Sequence, residues 1–319
     1  MATSAFSDAR FHNEAAAFEA LEALLWPEGP ECPHCGCMGR IGKLPNQRTK
    51  ASKANPEGKL IHGLRKCYDC KRKFTVRVGT IFEDSHVELR LWFQAAFLMA
   101  SSKKGVSANQ LHRTLGVTLK TAWFMAHRLR EAMAEGHLNP FGSGGGAVEA
   151  DETYIGRWRR KGESERGSEH KMKVLTLIDR DTKRAKSVVM ESVTSNSVGR
   201  VVAANVTREA RLMTDQATYY KQVGREMASH ESVNHSIEEY ARGDVTTNHA
   251  EGYFSVFKKG MRGVYQHCKE KHLHRYLAEF DFRYNHRVAK GINDVSRADA
   301  ALIGAKGKRL TYRRTSGFV

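Results

Sequence analysis

Residues 147–155 read AVEADETYI and residues 210–215 read ARLMTD. In each, apolar residues lead to an aspartate, the pattern of a buried strand that carries an acid out at its end. KMKVLTLID (171–179) and AKSVVMES (185–192) read as two further strands, and residues 195–207, 248–259 and 270–289 as helices. Three strands, a helix, a strand and more helices is the order of a layered α/β domain. On this reading Asp151, with Glu152 beside it, ends the first strand and Asp215 ends the fourth. If those strands are neighbours, both acids emerge at one edge of the sheet. Asp179 and Asp181, also at a strand end, read as turn residues.

On the N-terminal side, FGSGGGA (141–147) is a glycine cluster that marks a domain boundary. Before it the pattern is helical. FHNEAAAFEALEALLW (11–26) is an amphipathic helix ended by Pro27, Gly29 and Pro30. VSANQLHRTLGVTLKTAWFMAHRLREAM (106–133) holds two helices around Gly116, with Ser107 and Thr118 as caps. That is a helix-turn-helix, with Leu111, Leu115, Val117, Trp123 and Leu129 as its small core. Lys120 and Thr121 fall on the first turn of the second helix, where recognition helices meet base edges, and Arg128 lies further along it. The expected organisation is an N-terminal helix (1–30), a cysteine-bearing segment (31–82), a helix-turn-helix region (83–140), an α/β domain (146–290) and a basic tail (291–319).

The cysteine segment carries Cys32-Pro-His-Cys35 and Cys67-Tyr-Asp-Cys70. Two such knuckles can place four thiolates around one structural Zn²⁺, a zinc ribbon, and metal binding would supply folding energy that this core-poor stretch lacks. Cys37 and His34 are alternative ligands, and Cys268 reads as an ordinary thiol.

Charge points to a polyanionic partner. The 319 residues hold 52 Lys and Arg against 35 Asp and Glu, a net +17. It is unevenly spread: residues 40–77 carry twelve basic groups against two acids, whereas residues 1–32 carry one against six. Such blocks suit phosphate contact. No run approaches the ~20 apolar residues that span a bilayer, and the N-terminus has no apolar signal core. The expected setting is the cytoplasm, in association with the nucleoid.

TTNHAEGYFSVFKKG (246–260) brings Asn248, Glu251 and Lys258 to one helix face. Two aspartates, a helical Glu or Asn and a lysine two turns on suit two-metal phosphoryl transfer, for which hard Mg²⁺ or Mn²⁺ prefers oxygen ligands. Together with CPHC, CYDC, VEADETYIG, LMTDQATYY and HLHRYLAEFDFRYNHR, this stretch resembles the IS1595 family of bacterial insertion-sequence transposases, the group with an ISXO2-like domain. The motifs run in family order from residue 32 to 287. KGESERGSEH (161–170) falls between them as a variable insert, and HLHRYLAEFDFRYNHR reads mainly as structural.

The resemblance implies an RNase H-like catalytic domain preceded by a zinc ribbon and a helix-turn-helix. It also implies divalent-metal transposition on terminal inverted repeats, with Asp151 and Asp215 as the first two ligands and Lys258 as the basic member. It permits Asn at the third position, so Asn248 is favoured over Glu251 there, with both bordering the metals. Holding two DNA ends calls for a dimer or higher assembly. The rival expectations are a nuclease or resolvase without strand transfer, and a zinc-dependent DNA-binding regulator with an inactive α/β domain.

Overall fold

A computed structural model describes residues 4–53, 55–136, 139–156 and 171–310. The 161–170 insert and residues 311–319 lie outside these. The chain divides into two units: Met1–Ser102 with Val106–Ala134 and Val288–Val319, and Lys103–Gly105 with Glu135–Arg287.

In the first unit, α1 (Glu14–Leu25) starts where the Asn13 side chain accepts the Ala16 amide, and it buries Ala17, Phe18, Leu21 and Leu25 at helical spacing. β1 (Ile41–Lys43), β2 (Arg65–Cys67) and β3 (Lys73–Phe74) form a small antiparallel sheet. Arg65 ties it to α1 through Glu22, with Nη2 2.5 Å from a carboxylate oxygen. α2 (Leu89–Ser101) has no cap of its own; instead Glu14 accepts the Leu89 and Arg90 amides at 2.8 and 3.0 Å. α3 (Ala108–Leu115) and α4 (Leu119–Met133) flank Gly116, which turns the chain at φ +66°. Ser107 and Thr118 cap the two helices, accepting from Gln110 and Thr121 at 3.1 Å each. Leu111, Leu115, Ala122, Met125 and Leu129 are buried between them, while Trp123 is only half-buried.

The second unit is built on β4 (Ala147–Ile155), β5 (Met172–Asp179) and β6 (Arg184–Met190), an antiparallel run. α5 (Ser195–Asn205) leads to β7 (Arg211–Asp215), α6 (Tyr220–Gly224) and β8 (Ser229–Val233). β9 (Ala241–Arg242) and β10 (Val245–Thr246) form a small hairpin before α7 (Asn248–Gly260) and α8 (Glu270–Asn285). The sheet order is β6-β5-β4-β7-β8, with β7 parallel to both β4 and β8. Three antiparallel strands flanked by two parallel ones in this order is the RNase H-like topology.

Strand alternation sends Val148, Ala150, Leu175, Leu177 and Leu212 to one face, where α5 and α6 cover them with Val198, Val202 and Tyr220. Val174, Ile178 and Ala185 face the other way, against Ala250, Tyr253, Phe254 and Phe257 of α7 and Leu273, Leu277 and Phe280 of α8. The glycine cluster is a tight turn into β4. At Gly142 φ is +76°, and a Cβ there would stand 2.3 Å from that of Ala210. Asp179 holds the turn, accepting the Gly142 and Thr182 amides at 3.0 and 2.8 Å.

The segment expected as a basic tail contains α9 (Asp294–Ile303), which belongs to the first unit and packs on α2. Its buried face is Arg297, Ala298, Ala301 and Leu302, too small and too polar to stand out in the sequence. Arg297 is satisfied by the Ala100 carbonyl at 3.2 Å and by Asp294. N-terminal helix, cysteine segment, helix-turn-helix and α9 are thus one unit, not successive modules.

Candidate active site

β4 and β7 bring the acidic pair together. Glu149 aligns with Met213 in the parallel register. Two residues further along each strand, on the same face, stand Asp151 and Asp215. β4 does not stop at Asp151, as the sequence suggested, but continues to Ile155 along β5. Asp151 therefore sits within the sheet, half-buried beside Thr176. Burial pushes its carboxyl up to about 8, helped by the charges of Glu152, Asp215 and Glu251. The charges that act most on it are all negative, which leaves a need for positive charge at this point.

α7 supplies the remaining groups. Glu251, in its first turn, is exposed; its carboxylate accepts from Thr247 Oγ1 at 3.4 Å and lies 3.5 Å from His235 Nε2. Asn248 opens the helix and is exposed, but it is not the cap: that position belongs to Thr247, whose hydroxyl makes no capping bond. Of these two residues, Glu251 contributes to the field at Asp151. Lys258, two turns on, holds its ammonium over the Phe254 ring at 5.9 Å. A divalent cation with oxygen ligands fits Asp151, Asp215 and Glu251 by charge and donor type. Among the described residues, only cysteine-containing groups bring three or more ligand atoms within 4.8 Å of one another.

Several polar groups around the site carry no sequence signal. Glu149, fully buried two residues before Asp151, accepts the His249 and Ala250 amides at 2.9 and 3.1 Å, the His249 ring at 2.7 Å and Arg180 Nε at 2.7 Å. Glu152 points to the opposite face, where Tyr219 and Tyr220 both donate to it. On the α7 face the row Asp151, Thr176, Ser187 crosses three strands. It ends at Asp281 of α8, which accepts the Ser187 amide, the Ser187 hydroxyl and the Tyr253 hydroxyl at 2.8, 2.7 and 2.6 Å. Asp281 lies in a helix read as structural, and only the packed sheet reveals what it meets.

In the first unit, Cys32, Cys35, Cys67 and Cys70 converge, all four sulfurs within 4.8 Å of one another. Cys32–Cys70 and Cys35–Cys67 separations are 3.6 and 3.7 Å. A tetrahedron with ~2.3 Å Zn–S bonds has edges of about 3.8 Å, so the set fits Zn²⁺. By themselves the thiols divide: the Cys70 amide draws Cys67 down to about 7, whereas, against the Cys37 amide, burial and the neighbouring thiols push Cys35 up to about 12. Cys37 stands beside Cys67 and Asp69, outside the four. His34 stacks edge-on to Phe74.

Lys120 is exposed at the start of α4, and Thr121 shares a 2.8 Å hydrogen bond with Thr118. Arg128 does not join them. It is buried, with Nη1 donating to the carbonyls of Ile81 and Glu83 at 2.5 and 2.9 Å and its guanidinium 4.4 Å over Phe124. The expectation of a DNA contact there is corrected: residues 81–83 occupy the face of α4 that the sequence left open.

Fold and site define an RNase H-like protein with an acidic site on two sheet strands, preceded in the chain by a zinc ribbon. Residues 144–285 match the profile of the ISXO2-like transposase domain, and residues 12–73 that of the transposase zinc-ribbon domain. A protein of Halobacterium salinarum, described as an uncharacterized protein in transposable element ISH50, is 30% identical over 237 residues, covering 68% of this chain and 76% of that one. The chain belongs to the IS1595 family of insertion-sequence transposases. Among solved structures, a simian T-cell lymphotropic virus intasome in complex with PP2A regulatory subunit B56 gamma is 13% identical, with a TM-score of 0.28. The match covers 58% of this chain and 64% of that one, less than two thirds of its length. The Mos1 strand transfer complex is 15% identical over 58% of this chain and 73% of that one, with a TM-score of 0.22.

Proposed function

We propose that this protein cuts DNA at the ends of its element and joins the freed 3′ ends to target DNA. Asp151, Asp215 and Glu251 hold the divalent ions, and Asn248 borders them. The observation that supports the reading is the parallel β4–β7 register, Glu149 against Met213, with Asp151 and Asp215 each two residues further along its strand. Mg²⁺ or Mn²⁺ bound there supplies water activation and charge stabilisation at both the attacking and leaving oxygens. Asp151 and Asp215 hold the scissile phosphate's surroundings rigidly from two adjacent strands. Lys258 neutralises a neighbouring phosphate. In the first step, water oxygen bonds to phosphorus and the 3′ oxygen leaves as a hydroxyl. In the second, that hydroxyl attacks a target phosphate, releasing the target's own 3′ oxygen.

Lys120 and Thr121 reach base edges in the terminal repeats, and the basic segment 40–77 contacts phosphates. Joining two ends requires at least a dimer, acting at the chromosome in the cytoplasm. The test is incubation with labelled element ends, a target plasmid and Mg²⁺. Cleavage and joined products are expected from the wild type. Asp151→Ala and Asp215→Ala should give neither while retaining end affinity. Cleavage without joining favours a nuclease or resolvase, end binding without cleavage favours a regulator, and retained cleavage in Asp215→Ala overturns the site.

A further inference from the structure

β4 carries two acids on its α7 face, Glu149 and Asp151, and they meet the helix differently. Asp151 stands in the half-open site. Glu149 is completely buried, and its carboxylate receives the backbone amides of His249 and Ala250, the two residues before Glu251. A helix ordinarily finds such a cap in its own N-cap side chain. Here Thr247 makes no capping bond and its hydroxyl is turned to Glu251. The cap comes from a strand instead. Arg180, at the β5–β6 turn, fixes the arrangement: it donates to Glu149 and to the carbonyls of Asp244 and Thr246, the residues that deliver the chain into α7. A buried carboxylate is costly unless paired and hydrogen-bonded, and Glu149 is both.

We infer that Glu149 is a positioning residue of the divalent-metal site: through the first amides of α7 it locks Glu251 in register with Asp151. The inference rests on the reading of Asp151 and Glu251 as metal ligands. One strand then carries a ligand and, two residues earlier, the clamp on the helix that carries another. The distance between the ligands is set by covalent spacing within β4 and by two hydrogen bonds, not by the α7 packing alone. Loss of the clamp lets the first turn of α7 shift or fray. It should lower metal affinity as removal of other ligand-orienting groups does, roughly 10-fold.

The test is Mn²⁺ binding to the zinc-loaded full-length chain, followed by calorimetry and electron paramagnetic resonance, with circular dichroism and melting temperature measured alongside. Asp151→Asn serves as the control for the site itself and should abolish the binding. Glu149→Gln keeps size and removes charge; it should weaken Mn²⁺ roughly 10-fold. That loss should disappear when Glu149→Gln is made on a Glu251→Gln background, because the effect runs through Glu251. His249→Ala, which removes the partner with the half-exposed ring, should give a smaller loss in the same direction and keeps the comparison alive if Glu149→Gln does not fold. Unchanged Mn²⁺ affinity in a folded Glu149→Gln or His249→Ala, or an equal loss on both backgrounds, overturns the inference alone. Unchanged affinity in Asp151→Asn overturns the metal site and the inference with it.

Discussion

Three buried or half-buried acids on the α7 face meet three different fates, decided by what donates to them. Glu149 is paired with Arg180 and capped onto amides. Asp151 is surrounded by like charge. Asp281 has three donors, yet loss of solvation still pushes its carboxyl from 3.8 up to about 6. The groups facing it are Tyr253 on α7 and Ser187 on β6, with Glu135 adding negative charge. A raised pKa means the folded state binds the proton more tightly than the unfolded one. The contribution is complete below about pH 4 and is lost as pH rises through about 6. Asp281→Asn cannot ionise, so urea titrations at low and neutral pH should show its pH dependence flattened by on the order of 2 kcal/mol relative to wild type. An unchanged slope would remove Asp281 from the account. Arg128 and Lys120 make a second contrast on a single helix. Arg128→Ala should cost roughly 2–3 kcal/mol of stability, because two carbonyls lose their donor. Lys120→Ala should leave stability within about 0.5 kcal/mol. It should lower the salt dependence of end binding by about one unit of slope if its partner is a phosphate. That Asp151 and Asp215 lie on strands was legible, since apolar runs lead to Asp in both; that the two strands are neighbours was not, because adjacency comes from the sheet order. Glu149, Asp281 and the burial of Arg128 were not, because each depends on which foreign element covers a given face.

At the scale of elements, what was readable is what each segment encodes alone. α3 and α4 follow from their caps and from Gly116, and β4 to β7 from continuous apolar runs. Gly116 sits at φ +66° with open space around its Cα, so Gly116→Ala meets no clash, only the left-handed backbone. The expected loss is about 1 kcal/mol in chemical denaturation, and a loss near zero would mean the turn relaxes. β8 was missed because SHESV buries only Val233 fully; an edge strand half-covered on both faces shows no alternation. α6 and the β9–β10 hairpin are too short for any period to register. α9 reads as tail in the sequence because its contact face is largely alanine with one buried arginine.

For the whole molecule, the cysteine cluster is the clearest separable source of stability. Among the described residues, Cys32, Cys67 and Phe74 are the fully buried members of their small core, so a Zn²⁺ on the four thiolates would supply folding energy that β1 to β3 lack on their own. Chelation, or Cys67→Ser, should release a single zinc per chain and unfold residues 31–75. It should abolish end-specific binding and leave the α/β unit's circular dichroism in place. Absence of zinc in the purified protein, or normal end binding by Cys67→Ser, would overturn the ribbon's role.

The placement of α9 has a consequence during translation. Its partner α2 is complete at residue 101, but α9 begins at residue 294, after the entire α/β unit has been made. At roughly 5–20 residues per second the nascent chain spends some 10–40 s with that face of α2 uncovered. Over that interval the part of α2 that α9 covers is open to chaperones and to aggregation. A ribosome that stops anywhere inside the α/β unit also leaves the N-terminal unit unfinished. Truncated products therefore lack the completed unit proposed to hold DNA, and the chains that finish it are those that already carry the acidic site.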